Sequence, residues 1–361
     1  MSRTLILPAL CATLCVGLSA QPAPAPLSAA QRRAVVASLA QALRARYIFP
    51  EVATRTADAL EAKAAAGAYD GAKDTKDFAQ ALGKDLRDQA HDVHCRVVMA
   101  PDLKAAEDDE GAPTPQEVAR TRQEMASFAF GILKVERLHG NVGYLDLRGF
   151  GPTYAVAPAY DAAMTLLSGC KAIILDLRRN GGGEPESVAY LLSHFFPEGD
   201  VRHLNDLRYR AGDRTQQYWT SPVAVHFGGP VYVLTSPRTF SGGEECAYDL
   251  QTQKRGILVG ETTGGGANPG GLVPLGEGLA AFIPSGRAVN PITGTNWEHV
   301  GVKPDIAVPA SDALKTAWAA IVKGEAAEAK DPEEKAYLTD LLGRIQRDDL
   351  PKPVFTRPKG L

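Results

Sequence analysis

Two short stretches of this 361-residue chain hold residue types that could do chemistry. The first is Thr239-Phe240-Ser241-Gly242-Gly243-Glu244-Glu245, which joins the apolar run Val231-Tyr232-Val233-Leu234-Thr235 to a helical pattern over about 242–254. A serine at a strand-to-helix junction has two uses. It can cap the helix, with Glu244 three residues on completing a capping box. It can also act as a nucleophile, with the Gly242 N–H and the positive helix end steadying an oxyanion. The setting is that of a nucleophile elbow, although Thr239 stands where that motif has glycine. On this stretch alone the cap is the simpler reading.

The second stretch is Asp176-Leu177-Arg178-Arg179-Asn180-Gly181-Gly182-Gly183, which follows the apolar run from Ala172 and precedes a helical pattern. Consecutive glycines let a backbone approach a substrate closely and present N–H groups, and Gly181 and Gly182 are candidates to hold an oxyanion. A phosphate cradle is the rival reading. No Lys-Ser/Thr follows and no GxGxxG spacing is present, so the loop does not read as nucleotide-binding. Asp176 and Arg178 read as braces for the glycines.

These loops need a scaffold. The runs 172–177, 231–235 and 257–259 are continuously apolar, as strands buried on both faces are, and helical patterns over 155–167, 184–196 and 242–254 alternate with them. That alternation predicts βαβ units, hence an α/β fold. Before it, 131–135 and 142–147 read as strands joined by a turn at His139-Gly140-Asn141. Helical spacing over 30–47, 51–66 and 75–88 predicts a small helical subdomain. The stretch 106–123, charged and broken by prolines, reads as an irregular connection or flap. The end, about 311–348, reads as helical.

Further motifs make a resemblance specific. D-L-R-x-N-G-G-G after an apolar strand and T-x-S-G-G-E at a strand–helix junction come first. Gly260-Glu261-Thr262-Thr263 and Trp297-Glu298-His299-Val300-Gly301-Val302-Lys303-Pro304-Asp305 follow in order. Together they resemble the C-terminal-processing (tail-specific) serine peptidase family over roughly 125–310. The resemblance implies a crotonase/ClpP-like αβ core with a peptide-binding cleft. Members with a Ser-Lys dyad carry lysine in G-E-x-T-x-G-K-G, but here that position is Gly266. Another base must activate the serine.

In the branch similar to tricorn protease and interphotoreceptor retinoid-binding protein, a D-x-H element supplies a histidine. Asp92-Val93-His94 matches it, so the resemblance implies His94 as base. The same branch places a carboxylate in the W-E segment, which is Glu298 here, giving a Ser241, His94, Glu298 arrangement. The PDZ module common in the family finds no room between His94 and Val142. The expected function is therefore an exported serine-type peptidase acting on peptides or proteins without a cofactor. A non-catalytic binder of hydrophobic ligands or peptides on the same fold is the alternative, as is an esterase for small acyl substrates.

Bulk properties fit. Net charge is −3 from 39 basic and 42 acidic side chains, with no basic stripe, so nucleic acid is not an expected partner. Arg3, the apolar run Leu5–Leu18 and the small residues after it read as a signal peptide over 1–20, followed by a spacer at 21–26. The residues before Cys11 and Cys15 are leucines, unlike a lipoprotein site. A periplasmic or secreted protein with no membrane span after cleavage is expected. The remaining parts are a helical subdomain at 27–100, a linker or flap at 101–124, the catalytic core at 125–310 and a C-terminal helical extension at 311–361. Cys95, Cys170 and Cys246 suit buried thiols or a single bridge better than a disulfide framework. His91 and His94, three apart, lack an HExxH pattern or a third ligand, and no metal is expected.

Overall fold

Side chains on successive strand residues point to opposite faces, so a strand covered on both sides must be apolar throughout. The computed structural model, which describes residues 26–103 and 113–350, has this arrangement at its centre. The leader, nearly all of the spacer and part of the 101–124 connection lie outside the described residues.

The N-terminal part is helical: α1 (Ala29–Arg46), α2 (Pro50–Ala65) and α3 (Thr75–Ala90), followed by β1 (Arg96–Met99). Ser28 and Gln31 form a reciprocal capping box on α1, and Asp74 caps α3. Next come α4 (Pro115–Ser127), β2 (Ile132–Leu138), β3 (Val142–Leu147), α5 (Thr153–Leu167), β4 (Ala172–Asp176) and α6 (Pro185–Ser193). The chain continues through β5 (His203–Tyr209), β6 (Thr215–Trp219), β7 (Val231–Thr235), α7 (Gly242–Thr252) and β8 (Gly256–Gly260). It ends with β9 (Gly270–Gly276), β10 (Leu279–Pro284), β11 (Gly286–Val289), β12 (Ile306–Ala307), α8 (Ala313–Glu328) and α9 (Pro332–Arg347).

The central sheet has the order β12-β8-β7-β4-β3-β2 and is parallel except for the β2–β3 hairpin. One face, with Leu145, Ile173, Leu175, Val231, Val233 and Leu258, packs under α5, α6 and α7. The other, with Val142, Tyr144, Ile174, Leu234 and Val259, packs under α8 and α9. The α/β expectation holds.

Two smaller antiparallel sheets, β1-β10-β9 and β11-β5-β6, were not foreseen as strands. The first changes the picture of the helical subdomain. Its core mixes Val35, Leu39, Leu82 and Leu86 with Leu275, Leu279, Ala281 and Ile283. The N-terminal helices thus share one hydrophobic core with strands that arrive late in the chain.

The stretch 106–123 also differs from expectation in its described part. Thr114 and Glu117 form a capping box and Pro115 occupies the first turn of α4. Proline is tolerated there because its missing N–H would have been unpaired anyway. The proline read as a breaker is a helix start. The three described cysteines are free and buried. Among the described residues no helix is long and apolar enough to cross a membrane.

Candidate active site

Parallel neighbours β4, β7 and β8 end side by side, so the loops leaving their carboxyl ends converge. The β7–α7 loop carries Ser241, whose backbone stands at φ 52°, ψ −124°. A non-glycine residue at such a positive φ is strained by roughly 1–3 kcal/mol, and such strain gathers at functional sites. Ser241 and Glu244 stand in the positions of a capping box, but the Glu244 N–H points to the Ser241 carbonyl at 2.8 Å and the hydroxyl makes no full hydrogen bond to it. What a helix cap would use is therefore left free on a strained turn.

Glu244 does more than complete a cap. Wholly buried, it accepts the Ser241 N–H at 2.9 Å, the Thr263 hydroxyl at 2.5 Å, the Gly265 N–H at 2.6 Å and the Gly266 N–H at 2.9 Å. It ties the G-E-T-T-G-G-G loop beneath the serine. Burial raises its pKa while these four bonds pull it down. Thr239, the departure from the elbow pattern, donates its hydroxyl to the Leu177 carbonyl at 2.8 Å, and Phe240 N–H donates to the Asn180 carbonyl at 3.0 Å. These bonds stitch the elbow to the glycine loop.

Within that loop Asp176 accepts from the Tyr144 hydroxyl and from the guanidinium and backbone of Arg178, the brace foreseen for it. The glycine assignment needs correction. Gly181 N–H donates to the Arg148 carbonyl at 3.1 Å and Gly182 N–H to Asn180 Oδ1 at 2.8 Å, so neither is free for an oxyanion. Gly183 N–H has no acceptor among the described residues. It lies against the helix start: a Cβ on Gly242 would stand 3.1 Å from Gly183 N. The Gly242 N–H likewise has no acceptor among the described residues. Gly182 instead supplies close approach, since a Cβ there would stand 2.7 Å from Ser241 Cβ.

His94 comes from the other side. It sits between α3 and β1, and β1 pairs with β10 so that Arg96 faces Phe282. The ring is 4% exposed and lies between Phe240, with centroids 4.5 Å apart, and Phe282, at 5.8 Å. Neither ring nitrogen has a hydrogen-bond partner among the described residues. Burial lowers its pKa to about 4, against the opposing pull of Asp92. It is held as a neutral imidazole, the form a general base requires.

The carboxylate beside it is not the one expected. Asp92 Oδ1 accepts the His94 N–H at 2.9 Å and lies 3.9 Å from His94 Nδ1. Its Oδ2 accepts from the Tyr47 hydroxyl at 3.1 Å and from Asn268 Nδ2 at 3.0 Å. Glu298 accepts the Ala267 N–H through Oε2, while Oε1 is buried without a hydrogen bond, 3.8 Å from His299 Nδ1; no hydrogen bond joins Glu298 to His94. Burial and the charge of Asp92 push Glu298 up to about 8. The W-E segment is strapped to the loop below the serine: Trp297 Nε1 donates to the Gly266 carbonyl at 2.7 Å and His299 N–H to the Gly265 carbonyl at 2.9 Å. His299 is exposed, as expected of a surface residue.

Ser241, Gly242, Gly183 and His94 line one cavity of about 680 Å³, with Phe240, Phe282, Tyr209, Tyr218, Glu245 and Trp297 among its walls. A hydroxyl on a strained turn, a neutral buried imidazole and unengaged N–H groups make a set fit for acyl transfer. Asp92 stood in the quoted D-x-H element, but nothing in one sequence separates it from Glu298. Gly183 was beyond reach, because which glycine N–H is spent depends on where Asn180 points.

The chain is similar to known proteins in sequence and in fold. Residues 141–308 match the description "Peptidase family S41". Residues 27–135 match the "N-terminal domain of Peptidase_S41 in eukaryotic IRBP". A carboxy-terminal-processing protease of Bartonella bacilliformis is 28% identical over 195 residues, 49% of this chain and 42% of that protein. A chloroplastic C-terminal processing peptidase of Tetradesmus obliquus is 29% identical over 167 residues, 46% of this chain and 34% of that protein. The chain thus spans less than half the length of these two relatives. A crystal structure described as a putative peptidase from Parabacteroides merdae shares the fold, with TM-score 0.55 and 18% identity over 80% of this chain and 96% of that one.

Proposed function

The chain belongs to peptidase family S41, and from that premise we propose that it is an exported serine peptidase in which Ser241 attacks a peptide carbonyl and His94 takes its proton. The observation that carries this reading is His94 itself. Burying an imidazole with both nitrogens unpartnered costs free energy, typically about 1–3 kcal/mol per orphaned polar group. A structural histidine would have been paired. Lining the same cavity as Ser241, it has work only when a hydroxyl and a substrate arrive.

Asp92, 3.9 Å from His94 Nδ1, is the carboxylate placed to steady the imidazolium that forms. The developing oxyanion falls to the N–H groups of Gly242 and Gly183. Glu298 acts as a positioning residue, through Ala267, on the loop that backs His94. Losing one oxyanion donor typically costs about 100- to 1000-fold in rate. The residual strain at Ser241 favours this over a cap, which contributes only about 1 kcal/mol and needs no such turn.

A fluorophosphonate probe tests the reading. Wild type should be labelled on Ser241, and labelling should vanish in Ser241→Ala and His94→Ala. A folded wild-type protein that takes no label would point to the binding alternative. Labelling together with turnover of short-chain esters but no peptides would point to the esterase. Export rests on the apolar leader and is tested by the N-terminus of the protein recovered from outside the cytoplasm.

A further inference from the structure

Glu245 lies four residues after Ser241 on α7, a rise of roughly 6 Å along the helix. It is 4% exposed and forms part of the wall of the cavity that Ser241 lines. Asn205 is the polar side chain that faces it and eases its charge, at a separation too long for a full hydrogen bond, so both amide atoms of Asn205 are buried without a close partner among the described residues. The carboxyl group thus has a neutral amide beside it and no ion pair among the described residues.

The surroundings are electronegative. Tyr209 and Tyr218 line the same cavity and feel the charges of both Glu245 and Glu184, the latter at the exposed mouth. Asp249 is buried one turn further along α7. Arg96 also lines the cavity, but it and Arg214 make their contacts with aromatic rings and not with Glu245. Arg96 lies over the Phe282 ring at 4.3 Å and bonds the His94 carbonyl, and Arg214 stacks over Tyr209 at 4.7 Å. Leu207, Ala288 and Trp297 supply apolar walls suited to a methylene stem.

We propose that this cavity is a specificity pocket for lysine or arginine at the substrate residue whose carbonyl Ser241 attacks, with Glu245 as the specificity-determining residue. The proposal rests on the peptidase reading of Ser241. An apolar side chain would cover a carboxyl group without pairing it, which is costly. A long cationic side chain reaches one helical turn past the serine and offers the charge-assisted bonds the pocket lacks. Burial raises the pKa of Glu245 against the opposing pull of Asn205, and an incoming ammonium or guanidinium paired with it would return it to the carboxylate.

The test uses aryl phosphonates, in which the serine oxygen displaces an aryloxide from phosphorus, with lysine-like, arginine-like or leucine-like side chains. Labelling rates at Ser241 are measured by mass spectrometry for wild type, Glu245→Gln and Glu245→Leu, each checked by thermal melting. Wild type should react with the basic probes about 10- to 100-fold faster than with the leucine probe. Glu245→Leu should reverse the order, and Glu245→Gln should lose most of the basic preference. A wild type that takes the leucine probe as fast as the basic ones overturns the proposal, as does a preference unchanged in both folded variants. If a variant fails to fold, the wild-type ratio decides. Failure of every phosphonate to label Ser241 removes the peptidase reading and this pocket with it; labelling without charge preference removes the pocket alone.

Discussion

Gly266 and His94 exclude each other's side chains: a Cβ on Gly266 would stand 2.6 Å from His94 Cε1 and 2.5 Å from two atoms of the Phe240 ring. Gly266 is the position where dyad members of the resembled family carry their lysine. Here the space beside that position holds the imidazole, and glycine at 266 is what lets it in.

Restoring a lysine should therefore fail. Gly266→Lys and Gly266→Ala must both push His94 or Phe240 aside, and overpacking of this kind costs about 1–3 kcal/mol. Fluorophosphonate labelling should drop at least about 100-fold in each. A Gly266→Lys protein labelled at the wild-type rate would show that the space can be shared.

The depressed pKa of His94 shapes the acid limb. With the folded imidazole at about 4 instead of the ordinary 6.5, kcat/KM on a peptide substrate should stay level from about pH 7 to about pH 5. Stability follows the same group. As pH falls below 6.5 the unfolded chain binds a proton on this residue and the folded one does not until about 4, so stability is lost through that window. His94→Gln should flatten urea-unfolding free energies between pH 6.5 and 4. An acid limb centred near 6.5 would contradict a desolvated base.

Asp92 and Glu298 should respond differently to amide replacement. Glu298, pushed up to about 8, is already mostly protonated at pH 7, so Glu298→Gln should keep activity within about tenfold. Asp92→Asn removes the charge beside the imidazole and should cost about 100- to 10,000-fold. Glu298→Gln should also lessen the stability lost as pH rises from 4.5 to 8, the window in which the unfolded carboxyl ionises and the folded one does not. Equal losses in the two variants at pH 7 would reverse the assignment.

Relief of the turn strain is measurable. Ser241→Gly and Ser241→Ala both remove the hydroxyl, but only glycine is at ease at φ 52°. Allowing for the extra entropy glycine loses on folding, Ser241→Gly should be more stable than Ser241→Ala by about 1 kcal/mol. Paired calorimetric scans check this, and a higher melting temperature for the alanine variant would deny the strain.

The parallel core was readable because burial on both faces forces an unbroken apolar run, and runs such as 172–177 and 231–235 have few other uses. The small sheets were not. β6 (Thr-Gln-Gln-Tyr-Trp) is mostly exposed and polar, and β9 opens on two glycines. Their pairing is set by distant partners that no local pattern records. The candidate site divides the same way. Ser241 and His94 stand in motifs, whereas the choice of Gly183 over its neighbours rests on the direction of one asparagine side chain.

The β1–β10 pairing has a temporal meaning for a chain made from its N-terminus. His94 leaves the ribosome early, yet Phe282 and the strand that seats it come only after the serine, the glycine loop and most of the central sheet. On the proposed mechanism, a chain that stops short of β10 has both the serine and the histidine but lacks the strand against which the imidazole is seated.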